Sequence, residues 1–107
     1  MPFDSTNFVT PNDDLLDLLI RARGRIQKSW IKGSFFDRQG GVCLVGSFAN
    51  DIMNTLQNTA YDLLNSLVDP GISLIGFNDQ PSTKKEDVLG LFDRAIALRR
   101  EQLENGR

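Results

Sequence analysis

Long stretches in which apolar residues recur at three- and four-residue intervals alternate along the chain with short polar stretches dense in glycine, proline and asparagine. Leu15, Leu18, Leu19, Ala22 and Ile26 form one such series, and their spacing predicts a helix with a single apolar face, running to about Ser29. Thr10-Pro11-Asn12-Asp13 supplies its start. Thr10 reads as N-cap, Pro11 sits at the first helical position where a missing N–H costs nothing, and Asp13 and Asp14 lie near the positive end of the helix dipole. Residues 1–9 carry Phe3, Phe8 and Val9 among polar neighbours and read as an irregular N-terminal arm, leaving 10–107 as one globular domain.

Gly33, Gly40 and Gly41 punctuate the next stretch as turns. Ser34-Phe35-Phe36 can pair with Val42-Cys43-Leu44-Val45 as a hairpin across Gly40-Gly41. The preferred rival starts a helix at Val42 and continues it through Val45, Phe48, Ala49, Ile52 and Met53, with Cys43, Gly46 and Ser47 as small packing residues. Polar residues from Asn54 to Asn58 separate this from a helix carrying Ala60, Leu63, Leu64 and Leu67, which Asp69-Pro70-Gly71 stops. Ile72 to Phe77 reads as a strand or an extended buried stretch. Thr83 and Glu86 fit a capping box for a final helix whose Val88, Leu91, Phe92, Ala95, Ile96 and Leu98, with Leu103 beyond, form the buried stripe. The expected class is mainly α: a small single-domain helical bundle of about four helices, with room for a minimal two-stranded element.

Composition narrows the functional classes. At 40% hydrophobic and 24% charged residues, a chain of 107 has an ordinary globular make-up. It can bury roughly two thirds of its unfolded surface without a metal or disulfide staple. One cysteine cannot close an internal bridge. The N-terminus lacks the basic and apolar regions of a signal peptide, and the longest uncharged apolar stretch, Gly40 to Asn50, falls short of the roughly 20 residues of a membrane span. A cytoplasmic protein without membrane contact is the expectation. Twelve basic and 14 acidic residues give a net charge of −2, which provides no global attraction for nucleic acid. The absence of histidine removes Ser-His-Asp and Cys-His catalysis, and a single thiol removes structural zinc. No dinucleotide fingerprint, phosphate-binding loop, EF-hand or convergent carboxylate set is present, so neither cofactor nor metal is expected.

Trp30-x-x-Gly33, Cys43-x-x-Gly46-Ser47, Phe77-Asn78-Asp79 and Thr83 ahead of Val88 occur in an order and spacing that resembles a family of small bacterial and phage-associated proteins known only as a domain of unknown function. That pattern has a tryptophan and glycine first, then a Cys-Ala-x-Gly-Ala helix, then a Trp-Asn-Asp segment with a downstream threonine before the last helix. The likeness spans roughly Leu15 to Ala97. Phe77 stands where the pattern has tryptophan and Leu44 where it has alanine, both keeping apolar character. The resemblance implies no activity.

Four residues form a candidate pocket: Trp30, Cys43, Asn78 and Asp79. Cys43 is the only strong nucleophile and would gain from a helix N-terminus, but no histidine can serve as its base, and the bland reading makes it a small core residue. Asn78-Asp79 reads first as a turn that accepts backbone N–H bonds, and second as a polar pair facing a ligand. Trp30 with Ile31, Phe35 and Phe36 reads as an aromatic cover over the bundle end, or, if exposed, as a partner surface. Arg21, Arg25, Lys28 and Lys32 form a candidate basic face, provided the first helix reaches that far. The leading functional expectation is a non-enzymatic binding protein whose partner is another protein or a second copy. A histidine-free enzyme or small-ligand pocket around Cys43 and Asp79 stands second. Nucleic-acid binding by the basic face stands third.

Overall fold

The computed structural model describes residues 13–48 and 54–105, which contain four α-helices. Helix α1 spans Asp14–Lys28. Its cap is Asp13, in extended backbone, whose carboxylate accepts the Leu16 N–H at 2.9 Å; the helix therefore begins later than the Thr10-Pro11 pattern predicts, and Thr10 and Pro11 lie outside the described residues. Asp13 is held from a second side, because Arg99 donates from both ends of its guanidinium to the two carboxylate oxygens at 2.8 and 2.7 Å. One side chain thus caps α1 and ties it to the last helix. That bond to Arg99 is the main reason the Asp13 carboxyl lies below the usual carboxylate range.

No helix starts at Val42. That residue lies in bridge pairing with Trp30 on one side, parallel, and with Phe36 on the other, antiparallel. Its N–H donates to Ser29 O at 2.9 Å, its carbonyl accepts the Ile31 N–H at 3.0 Å, and the flanking Cys43 N–H reaches Phe35 O at 3.2 Å. Gly33 and Gly40, with φ of 83° and 86°, make the reversals that bring those three segments together. Among the described residues this double bridge takes the place of the minimal two-stranded element, and a 3₁₀ turn at Gly46–Phe48 is the only helical piece of the expected second helix, whose Ala49, Ile52 and Met53 lie outside the described residues.

Helix α2, Asn54–Asn65, includes the polar run that was expected to separate it from the preceding helix. Thr55, Asn58 and Thr59 are exposed, so the run is the wet face of an amphipathic helix. Helix α3, Leu74–Asp79, replaces the expected strand at Ile72 to Phe77. Ser73 caps it by accepting the Gly76 N–H at 2.9 Å, and Leu74 and Asn78, one turn apart, are both buried. Helix α4, Lys85–Asn105, is capped differently from expectation. Lys84 is the cap residue, its N–H donating to the Asp87 carboxylate at 2.8 Å, while the Thr83 hydroxyl donates back to Phe77 O at 2.7 Å and fixes the α3–α4 joint.

The core lies between α1 and α4, with α2 against both and α3 against α2. Leu15, Leu18, Leu19, Ala22 and Ile26 of α1 meet Val88, Leu91, Phe92, Ala95 and Ile96 of α4 in one buried cluster, as their spacing predicts. Leu98 and Leu103 are only half-buried. Phe48 closes the bundle, its ring 5.7 Å from that of Phe92 and edge-on to Tyr61 at 5.2 Å. The protein is mainly α, as expected.

Phe92 is fully buried in the core cluster and stacks on the Phe48 ring, so Phe92→Ala leaves a cavity there. A loss of about 3–5 kcal/mol is expected in a urea unfolding curve, with little change in its slope.

Candidate functional site

The site is built around Asn78, a fully buried side chain on α3. Its Oδ1 accepts the Trp30 indole N–H at 2.6 Å and the Leu44 backbone N–H at 3.0 Å. Its Nδ2 donates to Ile31 O at 3.2 Å and to Asp79 Oδ1 at 2.9 Å. One carboxamide therefore joins the segment after α1, the segment before the 3₁₀ turn, and α3. Asn78 is not the turn residue expected from the sequence; it is the buried polar link of the site.

Asp79 is the next residue in the helix, so its side chain is rotated to the solvent face. Its Oδ1 also accepts the Gly33 N–H at 3.0 Å. The Asn78 bond first, then the Gly33 bond, and to a smaller degree the charge of Lys32 hold this carboxyl below the usual range, so it is ionised at neutral pH. Among the described residues no donor meets Oδ2. Ile75, one turn earlier on the same face, is 46% exposed, and Phe35 across from it is 51% exposed. These three line a cleft of about 250 Å³ together with Gly33, Ser34 and the buried Cys43.

Two of the four candidate pocket residues, Cys43 and Asp79, thus line one cleft, and the other two, Trp30 and Asn78, are bonded to each other behind it. Cys43 does not sit at an α-helix N-terminus. Its Sγ accepts the Gly46 N–H at 3.3 Å, and a Cβ on Gly46 would lie 2.2 Å from Phe35 O. The Cys43-x-x-Gly46 spacing is therefore explained by packing: the sulfur turns the backbone, and the missing side chain lets that turn press on the Phe35 wall. Phe35 and Phe36 do not cover the bundle end; both are half exposed.

The basic face does not assemble as predicted. Helix α1 ends at Lys28, and Lys32, in the following loop, donates to Gln80 O at 2.6 Å with its ammonium 5.6 Å from the Trp30 ring centre. Arg25 points a donor at Ser47 O, so it braces the 3₁₀ turn. Among the described residues no group of three His, Cys, Asp or Glu side chains could hold a metal ion, and no helix is long and apolar enough to cross a membrane.

Sequence reasoning missed Ile75, Gly33 and Ser34 as site residues. Ile75 carries a signal only once α3 is known to be helical, because the four-residue spacing to Asp79 then puts both on one face.

Asn78→Ala leaves the Trp30 and Leu44 donors without their acceptor. With each orphan costing about 1–3 kcal/mol, a total loss of about 2–6 kcal/mol is expected by chemical denaturation. Asp79 has a folded-state pKa below its unfolded one, so its contribution to stability is present above about pH 4 and fades as pH falls through the lower folded value. Melting temperatures measured from pH 6 down to about pH 2 should therefore fall less steeply for Asp79→Asn than for the parent chain.

No curated protein and no solved structure matches the chain. The model of a family of unknown function, DUF6197, matches residues 10–98, a range that contains the cleft, Asn78 and all four helix starts, and the chain belongs to that family.

Proposed function

We propose that the protein is a small non-enzymatic binding module that receives a group from a partner in the cleft between the Gly33–Phe35 loop and α3. One observation carries the reading: two half-exposed apolar side chains, Phe35 and Ile75, frame a carboxylate that Asn78 and Gly33 hold in a fixed position. Exposed apolar surface beside a pre-oriented polar group is the usual make-up of a recognition site. The rest of the molecule supports it, since Asn78 and the Val42 bridges tie the walls of the cleft into the fold.

A second reading, thiol chemistry at Cys43 with Asp79 carrying the proton, draws on their shared cleft. Against it, the thiol is only 4% exposed and already accepts the Gly46 N–H. Iodoacetamide should alkylate Cys43 far more slowly than free cysteine; fast, Asp79-dependent alkylation would favour the enzymatic reading.

The binding reading is tested by backbone amide NMR during titration with a mixed library of short peptides and small organic fragments. Shift changes should gather at Gly33, Ser34, Phe35, Ile75 and Asp79 and vanish in Phe35→Ala, a surface change expected to alter stability by less than about 1 kcal/mol. Changes that map elsewhere, or that survive Phe35→Ala, overturn it.

A further inference from the structure

The cleft has a chemistry that selects its occupant. We infer that it takes a basic side chain, arginine or lysine, from a protein partner: the charged end on Asp79 Oδ2, the aliphatic stem between Phe35 and Ile75. This rests on the cleft being the binding surface proposed above, and it adds the class of group bound.

Charge complementarity is the first argument. Asp79 Oδ1 takes two donors, from Asn78 and Gly33, while Oδ2 meets none among the described residues, so the anion is positioned and half of it is left for a ligand. Lys32 does not fill this role, because its ammonium is bonded to Gln80 O and Lys32 is not among the cleft's lining residues.

Size and wall chemistry come next. At about 250 Å³ the cleft falls below the range of roughly 300–1,000 Å³ that holds drug-sized ligands, so it suits one side chain and not a nucleotide or organic cofactor. Arginine and lysine bury their methylene stems along apolar surface while the head stays polar, and a guanidinium or ammonium also gains over the face of an aromatic ring. Phe35 and Ile75 offer the apolar surface, and Phe35 the ring. The source is a protein because Phe35 and Ile75 leave about half of their surface exposed, where residues flanking the basic one can pack. A free amine would leave that apolar surface wet.

The test uses the full chain and four probes: acetyl-Leu-Arg-Leu-amide, its lysine and citrulline analogues, and n-butylguanidinium. Amide shifts give both site and affinity. The arginine and lysine peptides should move Gly33, Ser34 and Ile75, bind about five- to tenfold tighter than the citrulline peptide, lose that margin in Asp79→Asn, and weaken as salt rises. Citrulline binding equal to arginine, or affinity unchanged in Asp79→Asn, overturns the basic side chain and leaves the cleft reading standing. Butylguanidinium binding as tightly as the peptides overturns the protein source. Failure of all four probes while other library members still shift the cleft amides overturns only this inference; failure of every compound overturns the cleft reading too. Phe35→Ala, folded by its amide spectrum, should weaken the arginine and lysine peptides, and unchanged affinity there overturns this inference together with the cleft reading.

Discussion

The buried carboxamide of Asn78 is the interaction on which the site depends. A polar group with no exposure is costly unless its lone pairs and protons are matched, and here Trp30 and Leu44 supply donors to its oxygen while Ile31 and Asp79 accept from its nitrogen. Trp30, Ile31 and Leu44 come from segments that helix packing alone would not fix, and Asn78 ties all three to α3. The Gly33–Asp79 and Lys32–Gln80 bonds reinforce that tie.

Helix geometry then sends the two residues of a dipeptide to different surroundings. Successive residues on a helix point about 100° apart, so Asn78 faces the core with Leu74 while Asp79 faces solvent with Ile75. The neighbours stay coupled, since the Asn78 amide bonds the Asp79 carboxylate that it helps to ionise. Structural and recognition roles are thus not rival explanations of Asn78-Asp79: Asn78 is buried and structural, while Asp79 reaches the solvent face, where the proposed recognition would use it. The second wall follows the same logic. Gly46 lies against the Phe35 carbonyl, and the Cys43 thiol holds the turn that puts it there, so a buried packing motif sets the position of an exposed aromatic.

Helices α1 and α4 were legible from the amino-acid order because amphipathic periodicity is local: Leu15 to Ile26 and Val88 to Ile96 each declare a buried face within their own few turns. Composition in the same way set aside histidine catalysis and thiol-based zinc. The segments that build the cleft were decided elsewhere. Val42 to Phe48 has helical spacing, yet bridges to Trp30 and Phe36 take its backbone groups; Ile72 to Phe77 looks extended, yet the Ser73 cap and the bonds to Asn78 wind its second half into α3. The bridges that hold Val42 reach 6 and 12 positions back, to Phe36 and Trp30, and the bonds of Asn78 to Leu44 and Trp30 span 34 and 48. Local propensity is weak against such partners, which become visible only when the chain is folded. The sequence therefore determined the apolar faces of the bundle and the residue types at the site, and the tertiary structure alone decided which of those residues meet, because their meeting depends on hydrogen bonds between distant segments.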